Sequence, residues 1–98
     1  MSAERIGEQV TVQVGGDVDL FTATELDTVL AQVQTWVVPG GGLRVDLAQV
    51  QFLSVAGMNA LNTASGRCRA HEIAFSVIGA SADINRHIAL AGLRHCLT

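Results

Sequence analysis

The sequence predicts an α/β domain, a sheet with helices layered against it. Short segments alternate apolar and polar residues with period two, longer segments repeat apolar residues every three or four positions, and turn residues separate them. The chain has 98 residues, enough for one modest core and too few for two, so residues 1–98 are expected to form a single domain.

Val10, Val12 and Val14 alternate with Thr11 and Gln13, which marks a strand with one buried face. Gly15-Gly16-Asp17 ends it. Val18 and Leu20 continue the alternation and read as a short second strand. Thr22, with Glu25 three residues on, forms the Thr-x-x-Glu capping pattern and predicts that a helix starts there. Leu26, Val29, Leu30, Val33 and Val37 give that helix an apolar stripe. Pro39 and Gly40-Gly41-Gly42 stop it, and by composition they form the most flexible loop of the chain.

Leu43, Val45 and Leu47 form the next strand. A second helix is expected over residues 55–70, where Met58, Leu61, Ser65 and Cys68 recur at helical spacing. Gly66 weakens its middle by roughly 1 kcal/mol relative to alanine. Residues 73–79 are apolar on both faces, which predicts an interior strand. Ser81 caps a third helix over 82–90, with Ile84, Ile88 and Ala91 inward, and Gly92 ends it. His95-Cys96-Leu97 is read as a short edge strand.

Apolar residues make up 49% of the chain and charged ones 15%, the balance of a compact domain rather than a disordered tail. A formal charge of −3 lacks the basic footprint that nucleic acid requires. All six basic residues are arginine, and they are scattered. No run of roughly 18 apolar residues occurs, and residues 1–9 hold no apolar stretch, so neither membrane insertion nor a signal peptide is expected and the protein reads as cytoplasmic.

Cys68 and Cys96 lack CxxC or zinc-ligand spacing. They read as small buried hydrophobes, or as a redox staple if their Cα atoms approach within about 7 Å. His71, His87 and His95 show no ligand spacing, and no metal or cofactor is expected. The glycine run precedes a strand, so it lacks the helix dipole of a phosphate-cradling loop, and no nucleophile has a neighbouring base. An enzyme is therefore not expected. Trp36 packs half-buried under the glycine loop or, if it lies outside the core, anchors a partner.

Two segments carry a family resemblance. Gly16-Asp17-Val18-Asp19-Leu20-Phe21-Thr22-Ala23 resembles a Gly-Glu-Leu-Asp-x-x-Thr-Ala motif. The stretch from Asp46 to Met58, with Phe52-Leu53-Ser54-Val55-Ala56-Gly57-Met58 at its end, resembles Phe-Leu-Asp-Ser-Ser-Gly-Leu after a strand ending Asp-Leu-Ser. Both are signatures of the STAS domain of anti-sigma factor antagonists, also called anti-anti-sigma factors. Ile78-Gly79-Ala80-Ser81 and Ala91-Gly92-Leu93 add a weaker match to that family's C-terminal segment.

The resemblance implies a mixed sheet of four to five strands with about three helices on one side. It also implies a bacterial regulator of transcription that docks onto a kinase-type anti-sigma factor and frees a sigma factor. In the family that kinase phosphorylates a serine at the start of the second helix, which switches the complex off. Here Ser54 stands where the family has Asp, Val55 where it has the phosphoacceptor, and Ala56 where it has the next serine. The expected partner surface is Asp19, Ser54, Val55, Ala56, Gly57 and Met58. Val55 has no hydroxyl, so the usual phospho-switch is expected to be absent. Ser54 is the remaining candidate for phosphorylation and is otherwise a helix cap. The alternative is an accessory subunit of a lipid-transport ATPase, a role the resemblance also allows and one that needs no such switch.

Overall fold

The computed structural model describes residues 1–97. Its strands are β1 (Ser2–Ile6), β2 (Gln9–Gly15), β3 (Gly42–Gln49) and β4 (Ala74–Ile78), and its helices α1 (Leu20–Gln34), α2 (Val55–Ala70) and α3 (Ala82–Ile88). A π-helical turn, Ala89–Leu93, and a 3-10 turn, Arg94–Cys96, come after α3. The sheet order is β1-β2-β3-β4, with the first pair antiparallel and the other two parallel. This is the α/β layering expected from the sequence, with the mixed sheet that the family resemblance implied.

Register explains the core. Val10 and Val12 lie beside Leu43 and Val45, and these lie beside Phe75 and Val77, so one face of three strands is apolar. Leu26 and Leu30 of α1, Leu61 and Cys68 of α2, and Ile84 and Ile88 of α3 join that face in one buried cluster. Each such leucine or isoleucine contributes about 1.5–3 kcal/mol of burial. The opposite face, with Thr11, Gln13, Arg44 and Ser76, is polar.

Several expectations are corrected. Val18–Leu20 is not a strand: Val18 makes one isolated bridge to Leu53, and Leu20 already opens α1. The additional strand is instead β1, which closes a hairpin with β2 although every one of its residues is exposed. Backbone pairing, not burial, holds it, and that leaves no apolar pattern to read. α1 starts earlier than expected because its N-cap is Asp19 rather than Thr22. Thr22 is the other half of the capping box, its hydroxyl accepting the Asp19 N–H at 2.8 Å.

β4 is an edge strand, not an interior one; among the described residues only Leu97 bridges to its free side, at Val77. Residues 94–96 form a 3-10 turn rather than a strand. Ala91 faces outward, because Gly92 at φ +83° ends the helical path in a left-handed turn. The glycine loop is closely tied. Gly40 donates to the Glu72 carbonyl at 2.8 Å, Gly42 to that of Glu8 at 3.0 Å, and Gly41 accepts from Ala74 at 3.0 Å. Trp36 lies past the end of α1 and is 50% exposed, while its neighbour Val37 is buried.

Cys68 and Cys96 are both buried, free thiols. The Cys96 Sγ lies 3.4 Å from the Ser65 hydroxyl, which ties the C-terminal turn to α2. Burial pushes the Cys68 thiol up to about 11, with Arg67 opposing and Cys96 adding to the shift.

Candidate functional site: the paired helix tips

Parallel pairing of β2 with β3 brings their C-terminal ends to the same side of the sheet, and α1 and α2 both begin there. The two connections are zipped together. The Val18 N–H donates to the Phe52 carbonyl at 2.8 Å, and the Ser54 N–H donates to the Val18 carbonyl at 2.9 Å. The first turns of α1 and α2 are thereby fixed side by side.

Each tip is capped by its own side chain. The Asp19 carboxylate accepts from the N–H groups of Phe21 and Thr22, both at 2.9 Å. These bonds, the Thr22 backbone bond foremost, hold its carboxyl below the ordinary 3.8. The Ser54 hydroxyl accepts from the Gly57 N–H at 3.1 Å. Ser54 is therefore an N-cap in extended conformation, half-buried and already using its oxygen.

The residues after Ser54 point in different directions. Val55 faces solvent at 78% exposure. Ala56 and Met58 are partly buried. Gly57 faces inward, so it offers a partner no surface and instead sets how closely α2 lies on Val18 and Leu53.

Grooves run on both sides of the α2 tip. One, of about 480 Å³, lies toward α3 and is walled by Phe52, Val55, Met58 and Leu90, with Asn59 and His87 as polar members. The other, of about 290 Å³, lies toward α1 and is lined by Leu20, Ala56, Asn59 and Thr63, with Asp27 at its side. Leu20, Phe52 and Leu90 are exposed by 68%, 53% and 79%. Phe21 is exposed as well. Soluble domains seldom leave apolar area gathered in this way uncovered.

Sequence reasoning names residues of the α2 tip and omits the exposed apolar residues that flank it. It puts Leu20 in a strand, takes Phe52 only as part of the signature, and leaves Leu90 at the end of a helix without a face. The adjacent pair Leu20-Phe21 directly after a cap is a usable signal, since neighbours in a helix cannot both face the core. Among the described residues, no group of three metal-ligating side chains occurs, and no helix is long and apolar enough to cross a membrane.

The family model described as "Mlab, STAS domain" matches residues 1–98. No curated protein matches the sequence. Among solved structures, an anti-sigma factor antagonist from Mycobacterium paratuberculosis is 25% identical with a TM-score of 0.81, over 98% of this chain and 80% of that one. The anti-sigma factor antagonist SpoIIAA in its unphosphorylated form is 13% identical, TM-score 0.73, over 99% of this chain and 84% of its own. Mglu shares the fold at 18% identity and TM-score 0.70 over 83% of this chain, which spans only 20% of that protein.

Proposed function

The chain belongs to the STAS domain family, and on that premise we propose that it is a non-catalytic regulatory module that binds a kinase-type anti-sigma factor and releases a sigma factor. The observation that supports this reading is the exposed, apolar Val55 at a capped helix tip, flanked by two grooves. Val55, Ala56, Met58 and the rim of Ser54 make the contact, with Asp19 holding the neighbouring tip in place. Gly57 takes part through the close seating of α2.

A phosphate at a helix N-terminus is locally tolerated, yet it adds nearly two negative charges to a docking face. Val55 accepts none. Docking is therefore independent of the usual phosphorylation, and the module acts in the cytoplasm as a constitutive binder.

Pull-down against the kinase-type anti-sigma factors of the same genome, with and without ATP, tests this. Capture unaffected by ATP is expected. Incubation with the captured kinase should label a Val55→Ser variant and leave the wild type unlabelled. Label on wild-type Ser54, or no capture at all, overturns the reading.

The exposed Val55 also favours a second reading, an accessory subunit of a lipid-transport ATPase, since a permanently assembled subunit needs no hydroxyl switch. Transporter genes beside this one, with co-purification of their ATPase, would select it.

A further inference from the structure

Resting on the reading of the paired helix tips as a docking face, we infer that the partner is a protein segment with apolar side chains at its centre and basic side chains directed toward α1. The apolar part comes from Leu20, Val55 and Leu90, which stand exposed across the face. The basic part comes from how charge is distributed around it.

Asp27 lines the α1-side groove itself. Asp19 caps α1 one residue before Leu20, and Asp17 is exposed just ahead of Val18, whose backbone is bonded to both Phe52 and Ser54. Asp19 is already bonded to two N–H groups of α1, whereas Asp17 and Asp27 form no ion pair: the one ion pair among the described residues is Arg86 with Asp83 on α3. Arg67 and Arg69 stand in the last turn of α2, about 18 and about 21 Å along the helix from Val55. Arg44 is on the opposite face of the sheet, and Arg5 is on β1.

The α3-side groove has His87 and Asn59 and no carboxylate. The face is thus acidic on one flank only, and that asymmetry orients a ligand. A segment with arginine or lysine beside its apolar anchors gains attraction over the α1 flank, whereas an acidic segment is repelled there. Such rim charges act through water, so the preference must fade as salt rises.

The test uses two labelled amphipathic peptides of about 18 residues, a length suited to filling a groove as a helix. They carry identical leucine anchors, one flanked by arginine and the other by glutamate, and fluorescence anisotropy reads their binding to the full chain. The arginine peptide should bind at least about tenfold tighter at low salt, and the gap should close at about 0.5 M salt. Asp27→Asn should narrow the gap and Asp27→Arg should narrow it further. Asp27 is exposed, so far-ultraviolet circular dichroism should find both variants folded.

Equal affinities, a preference for glutamate, a gap untouched by either Asp27 variant, or no binding of either peptide each overturn the inference. None of these outcomes touches the anti-sigma reading, which stands or falls on the pull-down.

Discussion

Gly57 approaches Val18 so closely that a Cβ on the glycine would lie 2.7 Å from the Val18 Cγ1, and equally close to Leu53 Cδ1. That contact seats α2 on the bridged connections and so sets where Val55 emerges. At Gly66, two and a half turns further along the same helix, a Cβ would have no atom within 4 Å beyond its chain neighbours and the helix's own adjoining backbone.

The same substitution is therefore expected to act with opposite sign at the two positions. Gly57→Ala overpacks two buried side chains at a cost of about 1–3 kcal/mol, of which helix propensity returns up to about 1. Gly66→Ala should stabilise by about 0.5–1 kcal/mol. Urea denaturation midpoints should move down for the first and up for the second; a rise in both would refute the close contact.

Asp19 links the fold to pH. Its folded carboxyl titrates below the ordinary 3.8, so its contribution is fully present above the usual carboxylate range and is lost as pH falls through the depressed folded value. Asp19→Ala should lower the urea midpoint at neutral pH and flatten its decline between about pH 5 and 2. Asp19→Asn, still a good cap, should retain more of the neutral-pH stability. An NMR titration placing the Asp19 carboxyl at or above 3.8 would contradict the capping geometry.

Cys68 should give the opposite dependence at alkaline pH. Its thiol lies near 11 in the folded chain against an ordinary 9.0, so the unfolded state loses its proton first. Stability should fall as pH rises from 9 toward 11, and Cys68→Ala should lack that component of the slope. Because the thiolate is the reactive form, Ellman's reagent at about pH 8 should not modify buried Cys68 until urea unfolds the chain. Prompt native-state labelling of Cys68 would show that it is not enclosed.

Val55→Asp should separate folding from binding. An acidic residue in the first turn of α2 complements the positive end of the helix dipole and should add about 0.3–1 kcal/mol of stability. The same charge at the centre of the apolar face would be covered by a partner without a counter-ion, so affinity for the captured anti-sigma factor should fall at least about tenfold. Unchanged affinity would place docking elsewhere on the molecule.

Period and punctuation in the sequence are enough to place β2, β3, β4 and all three helices. The ends of α2 are readable because Ser54 is a strong cap and the apolar stripe through Leu61 and Cys68 runs to the last turn. The signature at Phe52 to Met58 likewise locates the helix tip, since local hydrogen bonding decides where a helix begins. Those features depend on neighbours a few residues apart.

Sheet order, the N-terminal strand and the extent of the exposed apolar face arise only in three dimensions. β1 is held by backbone bonds to β2 and has no buried residue, and β4 has apolar residues on both faces yet lies at an edge. Leu20 and Leu90 stand 70 positions apart and reach the same surface only because a parallel register brings two helix starts together and a π-helical turn extends α3. Contacts closed over such separations leave no periodicity in the chain, so residue order reveals each element's character while packing decides which elements meet.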